Sequence, residues 1–265
     1  MPLMIRSPAP TAPPRLRAQA QLSKRALFPG LRAAVLLGLT LGTLACSGGN
    51  GGDGAGPSGG GPAADPVPLG DPRSGEGTYY DADGTGACAF DAGKSPLRVA
   101  ALNAPDWSGS ASCGACAAVT GPEGSVTVRI VDLCPECSSG DLDLSLDAFT
   151  ELAPQEHGRV PIEWTLVPCD VSGPLRYLYK DGSNPWWTAI QIRNHRLPIA
   201  RVEWSADGST FEALERTDYN YFLTESGFGE GRVHVRVTAI DGQVLEDELP
   251  PVQELLEVAG AAQFR

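Results

Sequence analysis

The stretch VDLCPECSSGDLDLSLDAF at residues 131–149 decides how the rest of the chain is read. Just before it, Val126, Val128 and Ile130 alternate with Thr127 and Arg129, the period of a half-buried strand. The strand runs into a Cys-x-x-Cys loop and then into Leu142-Asp143-Leu144. In an extended segment the Asp143 side chain points away from both leucines. Ser145 is placed to cap a short helix over 145–153: Leu146, Phe149 and Leu152 share one face, and Pro154 ends the run. Nineteen residues therefore carry a strand end, a loop, a helix and two site carboxylates, Asp132 and Asp143.

Working outward, short alternating strands are expected at 97–102, 116–120, 125–131 and 162–167, which closes a first domain near Cys169. A second set follows Gly173-Pro174, at 175–179, 187–193, 200–205, 211–214 and 232–240. Turns at Asp181-Gly182, Asp207-Gly208 and Asp241-Gly242 separate some of these strands, at spacings suited to a small sandwich. The boundaries read as 74–170 for the first domain, 171–250 for the second, and 251–265 for a tail with no clear partner. The fold class is all-β.

The N-terminal region is of another kind. Residues 1–32 hold six basic residues and no acid, and residues 33–45 carry no charge. That order is the pattern of a secretory signal over 1–45, and its apolar run is shorter than the ~20 residues of a membrane-spanning helix. Thr43-Leu44-Ala45-Cys46 resembles the lipobox of a bacterial lipoprotein, which makes Cys46 the expected lipidation site. Residues 47–72 contain ten glycines and five prolines, and 46–73 reads as a linker. Removing the signal takes six of twenty basic residues and leaves fourteen against thirty-two acids, a net charge near −18. Such a balance argues against nucleic acid as a partner and leaves neutral polymers unaffected.

Six cysteines lie beyond the linker. Cys113 and Cys116 precede Cys134 and Cys137 by seventeen intervening residues, a zinc-ribbon spacing. Export to an oxidising compartment, with Cys88 and Cys169 completing an even number, favours disulfides over metal. Spacing alone leaves fifteen pairings open.

Taken together, GTYY at 77–80, CGAC at 113–116, VDLCPEC at 131–137, LDLS at 142–145 and NPWWTAIQIRNH at 184–195 resemble the bacterial expansins, over residues 74–249. The resemblance implies a six-stranded double-psi β-barrel followed by an immunoglobulin-like carbohydrate-binding module. It implies wall loosening by separation of glucan chains without hydrolysis, no cofactor and no metal. It also implies the pairs Cys88 with Cys113, Cys116 with Cys169, and Cys134 with Cys137. Thr78, Asp132 and Asp143 match the polysaccharide groove. Trp186, Trp187 and Tyr219 match the cellulose platform, with Lys180 beside it. Cys134 departs from the pattern, standing where relatives have a tyrosine.

Adjacent residues of a regular strand face opposite sides, so Trp186 and Trp187 share a surface only if Asn184-Pro185 bends the chain. Trp164 and Trp204 are expected in the core, and Trp107 in a loop near the groove. An inverting hydrolase needs a base facing Asp143, and Asp81 is the one acid that the first strand delivers for that alternative. A peptidoglycan-acting relative, of lytic transglycosylase type, is the other alternative. The expectation is a monomeric, exported protein, lipid-anchored to the envelope, whose partners are cellulose and other neutral wall polysaccharides or peptidoglycan.

Overall fold

The structure, a computed structural model, describes residues 68–265. The export segment, Cys46 and nearly all of the expected linker lie outside the described residues. Among the described residues no helix is long and apolar enough to cross a membrane.

Six strands form the first body: β1 (Arg73–Tyr80), β2 (Val99–Asn103), β3 (Cys116–Thr120), β4 (Ser125–Cys134), β5 (Leu142–Ser145) and β6 (Val160–Val167). They close into a barrel in the order β1-β5-β2-β4-β3-β6, with β1 parallel to β5 and β2 parallel to β4. The alternation on β4 survives as Val126, Val128 and Ile130 inside the barrel, packed with Leu142, Leu144, Ile162 and Trp164. Trp164 satisfies its ring N–H on the Gly140 carbonyl at 2.7 Å. Gly140 has φ +87°, and a Cβ there would lie 2.2 Å from the Ser74 carbonyl oxygen, so only glycine lets the 138–141 turn reach β1. The expected linker boundary at 73 falls inside the fold, because β1 begins at Arg73 and the Leu69 N–H already donates to Leu166 at 2.8 Å.

Two one-turn helices punctuate the barrel. The one expected after Ser145 is α2 (Leu146–Phe149), whose Ala148 N–H donates to the Ser145 hydroxyl. The other, α1 (Ala104–Trp107), was not expected. Asn103 caps it by accepting from the Asp106 N–H at 2.9 Å, and Pro105 occupies its first turn. That cap corrects the placement of Trp107: the ring is 7% exposed and packs in the barrel core, not beside the groove.

The second body is a sandwich. One sheet runs β11 (Glu215–Arg216), β12 (Phe222–Thr224), β8 (Thr188–Arg193), β7 (Arg176–Tyr179), β15 (Glu257–Ala259). The other runs β10 (Glu212–Ala213), β9 (Ile199–Ser205), β13 (Val233–Ala239), β14 (Val244–Leu249). Val233, Val235 and Val237 meet Tyr177, Tyr179, Ile190 and Ile192 between the sheets. Trp204 stacks on Phe228 at 4.9 Å at the edge of this core. The residues expected as a free tail are part of the sandwich: β15 pairs with β7, and Phe264 is buried at 3% exposure.

All six cysteines after the linker are in disulfides, in the pairing that the resemblance implied: Cys88–Cys113, Cys116–Cys169 and Cys134–Cys137. Among the described residues no group of His, Cys, Asp and Glu is arranged to hold a metal.

Polar contacts seal the seam between barrel and sandwich. The Cys88 carbonyl accepts from Gln191 Nε2 at 2.9 Å and from Asn220 Nδ2 at 3.1 Å, and the Ser110 hydroxyl donates to Thr217 at 2.7 Å. His195 fills the remaining space, 1% exposed. Gly114 faces it at φ +75°, where a Cβ would stand 2.4 Å from its Nε2. The Leu197 carbonyl, 2.8 Å from Nδ1, can only accept, so Nδ1 carries the proton of a neutral ring.

Burial, reinforced by the Arg129 cation, holds the His195 pKa down at about 3. The unfolded chain binds a proton at this site near the ordinary histidine value, ~6.5, so between about 6.5 and about 3 it carries more protons than the folded one. Stability from this site is complete above that window and falls as the pH drops through it, by up to roughly 1.4 kcal/mol per pH unit. Thermal melts of the wild type should therefore lose midpoint temperature from pH 6.5 to 4.5, and His195→Gln should flatten that slope. An unchanged slope would assign the effect elsewhere.

Candidate groove and binding face

The β1–β5 register places Thr78 directly beside Asp143. The Thr78 hydroxyl donates to Asp143 Oδ1 at 2.6 Å, at the floor of an open cleft of about 250 Å³. Burial raises the Asp143 pKa, the Thr78 hydrogen bond opposes that, and the nearby Glu136 charge adds to the rise. Glu76, Glu136, Asp141 and Arg159 line the same cleft, with Arg159 paired to Glu76. The groove is thus polar and mostly acidic, built to meet hydroxyls rather than anions.

Asp132, also expected in the groove, is half-buried and close enough for its charge to act on Asp143 and Tyr80. Its Oδ1 accepts from the Ala87 N–H at 2.7 Å and the Leu133 N–H at 2.8 Å, so it braces the loop that leads to Cys88. Asp81, the base considered for the hydrolase alternative, is exposed, just beyond the end of β1. Cys134 and Cys137 form part of the cleft wall, and their disulfide turn carries Glu136 there.

Three residues of the groove region escaped the sequence reading. Tyr80 ends β1 with a buried hydroxyl that has no protein partner, and burial together with the Asp132 and Asp143 charges raises its pKa. The parity of Thr78 and Tyr80 on one strand face was the available signal. Glu136 and Arg159 lie in a loop and just before β6, where no periodic pattern marks them.

On the sandwich, the bend required at Asn184-Pro185 is present. Asn184 and Trp187 exchange backbone hydrogen bonds at 2.8 and 3.2 Å, and Asn184 Oδ1 accepts from the Trp186 N–H at 3.0 Å. Pro185 and Trp186 form the corner of this tight turn, which frees the tryptophans from strand alternation. Trp186 is 70% exposed, the most exposed large apolar side chain among the described residues, and Trp187 is half-buried. Tyr219 is exposed and lies 5.8 Å from the ring of Tyr221, over which Lys180 Nζ sits at 5.9 Å. Tyr221 links Tyr219 and Lys180, and Asn220 ties that loop to the barrel through Cys88.

The family described as lytic transglycolase matches residues 99–164, within the barrel. The chain is 37% identical to expansin YoaJ of Bacillus subtilis over 173 residues, 64% of this chain and 74% of that protein. The chain belongs to the expansin family. Expansin-like protein 3 of Dictyostelium discoideum is 32% identical over 71% of this chain and 59% of its own length. The crystal structure of apo expansin from Clavibacter michiganensis superposes with a TM-score of 0.69 at 32% identity, covering 74% of this chain and 98% of that one. A mutant of that expansin is solved in complex with cellohexaose, with the same score and coverage. The expansin fold, a barrel followed by a β-sandwich, is the fold of this chain.

Proposed function

We propose that this expansin loosens cellulose-containing walls by gripping a glucan chain in the barrel groove while the sandwich holds the polymer surface, without cutting a glycosidic bond. The observation that carries the reading is the Thr78–Asp143 pair at the floor of an open polar groove. A carboxylate and a hydroxyl side by side match two neighbouring sugar hydroxyls: with its own proton on Asp143, the Thr78 oxygen accepts from one, and the free Asp143 oxygen accepts from the other. Trp186, Trp187 and Tyr219 supply flat apolar faces for the C–H faces of glucose rings, and Lys180 adds a donor at their edge. The relative solved with cellohexaose supports a β-1,4-glucan as the ligand class. Work on the wall comes from binding that favours a separated chain over a packed one.

Inverting hydrolysis needs two carboxyls roughly 6.5 to 9.5 Å apart with water between them. That Asp81, the base that reading required, is exposed and is not a residue of the Thr78–Asp143 cleft supports the reading without hydrolysis. The protein acts outside the cell, and a lipid on Cys46 would tether it to the envelope surface. The test is a wall-creep assay run beside a reducing-sugar assay on the same cellulose-rich wall. Creep without soluble sugar is the expected result. Sugar release that tracks creep would replace this reading with the hydrolase, and anhydro-sugar release from sacculi would replace it with the peptidoglycan-acting one.

A further inference from the structure

Arg129, on β4, is a cation without a counter-charge. It is largely buried, and among the described residues no carboxylate pairs with it. Its guanidinium makes a single hydrogen bond, from Nε to the Gly114 carbonyl at 3.3 Å, and Nη2 is buried with no partner. Buried charges in proteins are ordinarily paired, because removing one from water is costly unless a counter-ion or hydrogen bonds replace the solvent. The Phe90 ring, 5.5 Å from Cζ, offsets only part of that cost. Carboxylates are not scarce in this chain, which carries thirty-two acids, yet none pairs with Arg129, and Asp91, which lines the same cleft, is taken by Arg193. Neighbouring Arg193, by contrast, takes two, Asp91 at 2.6 Å and Glu257 at 3.1 Å.

Arg129 borders a cleft of about 290 Å³ at the seam, whose apolar walls are Phe90, Leu97, Val99 and Val131 and whose far side is Arg193 on the sandwich. That volume is at the small end of ligand pockets, about 300 to 1,000 Å³. One unspent cation in an apolar recess complements one negative charge on an apolar body. A multiply charged, strongly hydrated anion would lose its water against those walls without enough partners to replace it.

We propose that the seam cleft binds a small organic monocarboxylate, with its carboxylate on the Arg129 guanidinium and its apolar body against Phe90, Leu97 and Val131. Held by one long hydrogen bond, the guanidinium turns to meet the ligand, and its unused N–H groups become donors to the carboxylate oxygens. Because barrel and sandwich both wall the cleft, an occupant braces the two bodies against each other. This site is independent of the groove and the platform.

Benzoate, its neutral counterpart benzamide, and inorganic sulfate are the probes, added to the purified protein. A dissociation constant on the order of 1 mM is expected for benzoate, as for a ligand with one charge-assisted contact and one ring. Benzoate should shift the Arg129 side-chain Nε–Hε resonance and raise the melting temperature. Benzamide and sulfate should bind at least about tenfold more weakly. Arg129→Met, which keeps the apolar stem, should abolish the benzoate response. The wild-type resonance provides a readout even where that variant does not fold. An unmoved Arg129 resonance, an equal response to benzamide or sulfate, or unchanged benzoate binding in a folded Arg129→Met protein would each overturn the proposal.

Discussion

Replacing Asp143 with alanine is expected to abolish wall creep while leaving adsorption to cellulose within about twofold of the wild type. A hydrogen bond to a charged group contributes roughly 1.5 to 3 kcal/mol, and each 1.4 kcal/mol is a factor of ten, so losing the groove carboxylate should weaken the grip on a chain by about 10 to 100-fold. The fold should tolerate the change. Asp143 is half-buried in an open cleft, and Thr78, its partner, can turn its hydroxyl to water once the carboxylate is gone. Adsorption is spared because Trp186 and Tyr219 are on the sandwich. Burial raises the Asp143 pKa above the ordinary aspartate value, and sugar hydroxyls that donate to the carboxylate favour its charged form. Chain binding and deprotonation are therefore linked, and groove affinity should fall as the pH drops through the raised Asp143 pKa. Creep measured from pH 7 to pH 4 on wild type and Asp143→Ala checks both statements. A variant that retains creep would remove Asp143 from the mechanism.

The barrel was legible in the sequence because its strands alternate cleanly and its cysteines bracket them. Val126, Val128 and Ile130 occupy the interior that their spacing assigns, and Ser145 caps the helix that its position assigns. The disulfide pairing came through family likeness, since spacing alone could not choose among fifteen. What escaped was set by contacts distant in sequence. Trp107 turns inward on a single capped turn, β15 exists only because β7 offers an edge, and Asp132 is held by the backbone of a loop forty-five residues earlier. Glu136 is one of many exposed acids in the chain and becomes a groove residue only through the turn closed by Cys134 and Cys137.

Trp186→Ala is expected to lower affinity for crystalline cellulose by about 30-fold while leaving the barrel groove intact. An indole face stacked on a sugar covers roughly 80 Å² of apolar surface, worth ~2 kcal/mol at about 25 cal/mol per Å², and that converts to the stated factor. The ring is 70% exposed and contributes little to the core, so its removal should leave the melting temperature nearly unchanged. Trp187 differs: its side chain is half-buried, so Trp187→Ala should weaken binding and also remove packing beneath the corner that presents Trp186, although the backbone hydrogen bonds with Asn184 remain. Adsorption isotherms and melts on both variants separate the two roles. Because creep requires the groove to be held at the surface, Trp186→Ala should lose creep in proportion to adsorption, and raising protein concentration should restore it. Asp143→Ala should not recover under the same treatment. If Trp186→Ala lost creep while adsorbing normally, the division between a gripping groove and a holding platform would fail.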